Sequence, residues 1–199
     1  MRSLSLFKMF SVIAIILLTA GCTPKFNIES YDNSFRGTSV CNMQNNIVKK
    51  HNTNGTINFN LQKNTEFNQP YSLLITVFSV YIAPTFRNDS YALITLTSQG
   101  KTETLKLKSS ESGRSSYHSH HHTPGYTIDG IYYAGTSYTE NHDFSVLYIS
   151  LSKEQSFKIA NADQIFFKIE TTGPKPLEAT LSSDNIKNLR TFSNTCLSD

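Results

Sequence analysis

The sequence predicts an all-β protein, mainly antiparallel, arranged as a β-sandwich of about seven or eight strands with two short helices. Ser, Thr and Asn make up about a third of the 199 residues while only 17% are charged, a mixture common in exported β proteins. Short segments rich in β-branched and aromatic residues recur between turn signals, and the helical segments are too short for long crossovers. A partly closed β-barrel fits the same pattern and is the alternative.

The central strand and the first hairpin give the clearest patterns. Both alternating sets of side chains are largely apolar in Tyr71–Ala83, which predicts a strand covered on both faces. Pro84 ends it because proline cannot donate to a strand ladder. A hairpin is predicted where Tyr91–Thr97 and Lys101–Leu107 flank Ser98-Gln99-Gly100, since the glycine can take positive φ. The other predicted strands are Thr56–Leu61, Tyr126–Tyr133, Phe144–Leu151, Gln164–Glu170 and Leu177–Leu181.

Two amphipathic helices follow from capping signals. Ser152 can cap a helix over Lys153–Asn161, with Gln155 three residues later completing a capping box. Ser183 can cap a second helix over Asp184–Phe192.

The first 22 residues have the features of an export signal. Arg2 and Lys8 precede or border an apolar run, Met9–Ala20, that is shorter than the roughly 20 residues needed to cross a bilayer. The run leads into Leu18-Thr19-Ala20-Gly21-Cys22, which resembles the lipobox of bacterial lipoproteins. This resemblance implies cleavage before Cys22 and lipid attachment to its sulfur.

The lipoprotein resemblance also implies a domain organisation and a location. Residues 1–21 are then a cleaved signal peptide, 22–38 a lipid-attached tether, and 39–199 a single β-sandwich domain. The protein would meet the membrane through its N-terminal lipid, because several acyl chains anchor a protein stably without a spanning segment. In Gram-negative lipoproteins an Asp after the cysteine tends to retain the protein in the inner membrane. Thr23 stands here, which favours the outer membrane, facing either the periplasm or the cell surface.

Charge argues against nucleic acid as a partner. Removal of the signal peptide leaves 16 basic and 15 acidic side chains, and Lys49-Lys50 is the only basic doublet. Proteins that hold nucleic acid carry a basic stripe or cluster, which this sequence lacks.

Two cysteines remain once Cys22 is lipidated. Cys41 and Cys196 form an even pair in a compartment that permits disulfides, so the sequence predicts a bond between them. Two buried free thiols are the alternative. A catalytic thiol is disfavoured because neither cysteine has a histidine nearby in the sequence.

Histidines are concentrated in residues 118–122. If that segment is extended, alternation places its even-numbered histidines on one side, where they suit Zn²⁺, Cu²⁺ or Ni²⁺, and Asp143 or Glu140 could complete the ligand set. The alternative is a solvated polar loop, because the polar segment Ser109–Ser119 predicts a loop. The histidines of such a loop would bind added metal only adventitiously, or would respond to pH. The candidate metal ligands are His118, His120, His122 and His142.

No known enzyme signature is present: the sequence has no G-x-S-x-G, H-E-x-x-H, P-loop, G-x-G-x-x-G or C-x-x-C motif. The expected function is therefore a non-enzymatic binding or accessory module of the cell envelope, whose partner is an unidentified envelope protein or ligand. A metal-binding lipoprotein using residues 118–122 is one alternative, and an envelope hydrolase based on His142 is another. Four tyrosines interleaved with glycines suit an adaptable binding surface: Tyr126, Tyr132, Tyr133 and Tyr138.

Overall fold

The computed structural model describes residues 25–33, 37–79, 83–87, 89–123, 126–128, 131–133 and 136–197. In chain order the strands are β1 (Asn27–Asn33), β2 (Thr38–Gln44), β3 (Ile47–Val48), β4 (Lys50–His51), β5 (Thr56–Asn64), β6 (Tyr71–Ser79), β7 (Tyr91–Ser98), β8 (Lys101–Lys108), β9 (Glu111–Thr123), β10 (Tyr126–Ile128), β11 (Ile131–Tyr133), β12 (Thr136–Leu151), β13 (Gln164–Ile169) and β14 (Leu177–Thr180). The helices are α1 (Lys153–Asn161) and α2 (Ser183–Phe192), and a π-helical turn follows at Ser193–Leu197.

The larger sheet contains seven strands. Their order is β1-β2-β5-β6-β12-β9, with β3 paired to β5, and the pairs are antiparallel. β6 lies between β5 and β12 and has buried residues on both faces, Ile75 and Val77 on one and Ser72 and Thr76 on the other. β6 is central, as predicted, but the prediction that both faces are covered is wrong, because Phe78 on the face away from the core is 41% exposed.

The smaller main sheet contains five strands, in the order β4-β14-β13-β7-β8. The predicted hairpin is its β7–β8 pair, in which Ser98 lies opposite Lys101. Gln99 and Gly100 form the turn with φ of 50° and 76°, the left-handed values that suit a two-residue hairpin loop. Leu107 is buried while Lys106 and Lys108 are exposed, as the alternating pattern predicts.

The two sheets share one hydrophobic core. Phe59 of β5 and Phe167 of β13 meet across it with ring centroids 5.3 Å apart, and neither ring is accessible to solvent. The described strands form two stacked sheets and no closed barrel, which confirms the β-sandwich over its alternative. No helix within the described ranges has the length and apolar character needed to traverse a bilayer.

Both helices begin with a capping box. In α1, as predicted, Ser152 Oγ accepts from the Gln155 amide and the Gln155 side chain accepts from the Ser152 amide. In α2 the cap is Ser182, one residue earlier than predicted, with Asn185 as its reciprocal partner. Ser182 and Ser183 both fit the cap pattern. Only Ser182 is followed three positions later by a polar side chain, that of Asn185, because Ile186 stands three positions after Ser183. Ile186 and Leu189 of α2 pack into the core.

Cys41 of β2 and Cys196 of the π-helical turn lie within disulfide distance. Their Cα atoms are 6.1 Å apart, inside the range that a disulfide spans. Lys63 lies opposite Cys41 in the β2–β5 ladder and donates from Nζ to the Cys196 carbonyl oxygen at 2.9 Å. The C-terminal turn is therefore held on the larger sheet by both contacts.

Several predicted boundaries are wrong. Most of the predicted loop Ser109–Ser119 belongs to β9, and Phe144–Leu151 is only the second half of β12. The predicted single strand Tyr126–Tyr133 is two short strands, β10 and β11, paired with each other. β1 lies inside residues 22–38, the segment expected to be a tether. In β1 and the start of β9 a neighbouring strand supplies hydrogen-bond partners to residues whose own strand preference is weak.

Candidate functional site

The pairing of β9 with β12 continues past the sandwich. β12 pairs with β6 over Asp143–Leu151 but with β9 over Thr136–Tyr148. Of the described strands, only β9 therefore pairs with Thr136–His142, and its matching segment is Tyr117–Thr123. We call these two segments the arm. At about 3.4 Å per residue the arm extends roughly 20 Å.

The arm carries the histidine-rich segment in an extended conformation. Its register places His118 opposite Asn141, His120 opposite Thr139 and His122 opposite Ser137. Residues opposite each other in an antiparallel pair share a face, and alternate residues of one strand also share a face. The backbone therefore assigns positions 118, 120 and 122 to one face of the arm, and this is the extended arrangement on which the metal hypothesis depends.

His142 belongs to the opposite face. It lies opposite Tyr117, one position away from His118, whereas Asp143 lies opposite Ser116 and shares the face of the three histidine positions. The register thus aligns Asp143, and not His142, with the histidine trio. Only the pairing offset determines this, and the offset cannot be read from the spacing of histidines within one strand.

Most side chains of the arm lie outside the part of the chain that the structure describes. This holds for residues 117–136 and for positions 138, 140 and 141. Among the side chains that are described, no group of three or more His, Cys, Asp or Glu could hold a metal ion. The metal-ligand set and the tyrosine surface therefore stay predictions.

An ion pair joins the two strands at the base of the arm. Arg114 of β9 donates to Asp143 of β12, and the Asp143 side chain is only 10% exposed while that of Arg114 is 40% exposed. The hydroxyl of Ser145, next on the same face of β12, is buried without a hydrogen-bond partner. A carboxylate in such surroundings depends on its cation, because an unpaired buried charge is costly.

A small cavity of about 210 Å³ opens beside this ion pair. A Cβ atom at Gly55 would collide with the carbonyl oxygen of Phe78, so only glycine fits this wall. Ser79 lies opposite Asp143, whereas His142 and Asp143 are consecutive and therefore belong to opposite faces of β12. The hydrolase hypothesis stays a prediction. The cavity is lined by Asn54, Gly55, Thr56, Phe78, Ser79, His142 and Asp143.

A larger groove, about 530 Å³, lies across the outer face of the larger sheet. The sequence offered no signal for it, because its residues come from five strands and one turn and only the register brings them together. It is lined by Tyr31, Val40, Asn42, Gln62, Asn64, Phe67, Gln69, Glu111, Tyr148 and Ser150.

The remaining predicted site, Cys22, lies outside the described residues.

Comparison of the chain with protein-family models, with curated proteins and with solved structures finds no match to any of them.

Proposed function

We propose that the protein is a lipid-anchored protein of the cell envelope that acts as a non-enzymatic binding or accessory module, with the arm meeting its partner. The observation that carries the proposal is the β9–β12 pairing, which continues over Thr136–His142, where β9 is the only described neighbour of β12. A strand ribbon beyond a packed sheet offers backbone donors and acceptors as well as two side-chain faces to a partner.

Attachment at Cys22 would keep the domain near the bilayer. β1 begins at Asn27, so five residue steps separate the lipid-bearing residue from the first strand, about 18 Å when fully extended. The leader and its lipobox support this anchor, and Thr23 favours the outer membrane in a Gram-negative cell.

Photo-crosslinking in intact cells tests the role of the arm. A photoreactive residue at Ser137 or Thr139, two exposed positions of the arm, is expected to give adducts with an envelope partner. The matched controls are Thr102 and Lys106, exposed positions of β8 on the other sheet, which are expected to give none. Adducts from β8 together with none from the arm would overturn the proposal.

The anchor is tested by Cys22→Ser. This substitution removes the only acceptor for the lipid in the lipobox and is expected to shift the protein from the detergent phase to the aqueous phase on partition. Thr23→Ser, which keeps the cysteine, is the control and should stay in the detergent phase. Retention of the Cys22→Ser protein in the detergent phase would exclude lipid anchoring at this residue.

Metal binding by the arm is a second candidate function, favoured by the extended conformation of β9. Positions 118, 120 and 122 share a face of the strand, and imidazoles at neighbouring alternate positions suit Zn²⁺, Cu²⁺ or Ni²⁺. Replacing His120 and His122 by alanine should weaken binding by several orders of magnitude in calorimetric titration, while His142→Ala, on the opposite face, should leave it unchanged. Binding no tighter than about 10 µM for all three metals would end this candidate.

A further inference from the structure

The groove on the outer face of the larger sheet has the form of a ligand site. Its volume of about 530 Å³ falls within the ~300–1,000 Å³ of typical small-molecule sites. It lies on the face directed away from the core, since its residues alternate along each strand with core residues such as Leu61 and Ile149. The arm segments contribute none of its lining residues.

The sheet register aligns a polar row across the floor of the groove. Asn42 lies opposite Gln62, Gln62 opposite Ser72, and Ser72 opposite Ser150. Opposite residues share a face, so this row runs perpendicular to the strands from β2 to β12. Ser72 is buried and does not line the groove, so the row presents the amides of Asn42 and Gln62 and the hydroxyl of Ser150.

Aromatic rings border this row. Tyr31 and Phe67 are the most exposed large hydrophobic side chains of the described residues, at 61% and 56%. The turn that carries Phe67 is fixed, because the Phe67 amide donates to the Asn64 carbonyl and the Thr65 hydroxyl accepts from the Ser39 amide at 2.7 Å. Exposed rings on supported backbone leave apolar surface in water that a ligand can cover.

The polar groups of the groove retain hydrogen-bonding capacity. Within the described residues, the side-chain amides of Asn42 and Gln69 make no hydrogen bond, and each provides two N–H donors and an acceptor oxygen. Glu111 is the only charged residue among those that line the groove, and none of them is Lys or Arg. The groove therefore has donors, acceptors and ring faces but nothing that favours an anion.

We propose that this groove binds a neutral oligosaccharide. Sugar hydroxyls both donate and accept, which matches the amides and Ser150, while the C–H faces of a pyranose ring are apolar and can pack on Tyr31 and Phe67. A polyanion would meet Glu111 without a compensating cation, and a purely apolar ligand would leave the amides unpaired at a cost. This site is separate from the arm, so it goes beyond the proposed function and does not depend on it.

Calorimetric titration with neutral tetrasaccharides tests the proposal, with tetramers of glucose, mannose and N-acetylglucosamine as probes and a tetragalacturonate as the anionic comparison. The full chain is used in a detergent without a sugar headgroup, so that the detergent does not compete. At least one neutral tetramer is expected to bind with a dissociation constant below about 1 mM, the weak end of specific recognition, and the anionic tetramer is expected not to bind.

Matched variants locate the site. Tyr31→Ala and Phe67→Ala should each weaken binding by about tenfold, as expected for loss of a contact ring, and Gln62→Ala should weaken it as well. Phe166→Ala, an exposed ring on the other sheet, is the control and should leave binding unchanged. The exposure of Tyr31 and Phe67 means that both variants should keep the wild-type circular dichroism spectrum.

Three outcomes would overturn the proposal. The first is no binding of any neutral tetramer at 5 mM probe, a concentration well above about 1 mM. The second is tighter binding of the anionic tetramer than of every neutral one. The third is neutral binding that Tyr31→Ala and Phe67→Ala leave intact, which would place the sugar elsewhere on the molecule.

Discussion

The two halves of β12 lie in contrasting surroundings. Asp143–Leu151 pairs with β6 on one side and, as far as Tyr148, with β9 on the other, and it buries Leu147 and Ile149 completely. Thr136–His142 contains no Val, Ile or Leu, and β9 is its only described neighbour. The C-terminal half, Asp143–Leu151, is stabilised mainly by apolar burial and the N-terminal half, Thr136–His142, by ladder hydrogen bonds. A strand can therefore extend past the core that fixes it, and the extension is free to carry polar chemistry.

The strongest test of this contrast removes the link between the ends of the sandwich. Replacing Cys41 and Cys196 together by serine is expected to lower the free energy of unfolding by about 4 kcal/mol, because the bond closes a long loop in the unfolded chain. Guanidinium denaturation measures the change. Deletion of the arm should cost far less, and equal losses from both changes would contradict the division into a stabilising body and a projecting arm.

A cavity in the C-terminal half of β12 should rank second. Leu147→Ala removes a fully buried side chain and is expected to lower the free energy of unfolding by about 3 kcal/mol. Ser137→Ala, at an exposed position of the N-terminal half, is the matched control and should change it by less than about 0.5 kcal/mol. Similar values for the two variants would show that the arm is packed as the sandwich is.

The ion pair of Arg114 with Asp143, at the point where the two halves of β12 meet, should have an intermediate effect on the free energy of unfolding. Arg114→Met leaves the largely buried Asp143 carboxylate without its cation and is expected to cost about 1–2 kcal/mol, less than for a fully buried pair because solvent reaches Arg114. Arg190→Met removes the exposed pair with Asp163 and should cost less than about 1 kcal/mol. Asp143→Asn added to Arg114→Met should restore part of the loss, and no recovery would argue against an unpaired charge as its cause.

The smallest expected effect comes from an exposed contact of the sandwich. Hydrogen bonds to Glu103, then to Glu154, raise the pKa of Lys158 above its ordinary value of 10.5. A cation whose pKa is raised by folding contributes stability that is complete below the ordinary value and is lost as pH rises through the folded value. The difference in Tm between the wild type and Lys158→Met should therefore shrink as the pH rises above 10.5.

The sequence predicts the buried parts of the fold well, for a physical reason. Apolar alternation over Phe144–Leu151 matches the half of β12 that packs on the core, and the apolar segment Tyr71–Ala83 contains β6. The arm and the rest of β9 have no such apolar pattern, so their sequence resembles a loop. Only the pairing of β9 with β12 makes these residues strands. Burial of a strand requires apolar residues at regular positions in the local sequence, whereas cross-strand pairing of polar residues requires no such pattern.

The candidate sites depend on register, which the local sequence does not contain. The spacing of His118, His120 and His122 predicts their shared face once the strand is extended, but the exclusion of His142 and the inclusion of Asp143 follow only from the β9–β12 offset. The groove is even harder to predict from the sequence, because two of its lining residues, Tyr31 and Glu111, are at opposite edges of the sheet. No periodicity connects residues that meet across six strands.

The position of Cys41 and Cys196 has a consequence for damage by proteases. A bond between these residues, whose Cα atoms are 6.1 Å apart, encloses the arm and both sheets except β1 and the first residues of β2. A single backbone cut anywhere between them gives two fragments that remain covalently joined. With the proposed lipid on Cys22, a cut in the arm would leave the C-terminal fragment attached to the lipid-bearing fragment, and the cut molecule would stay at the membrane.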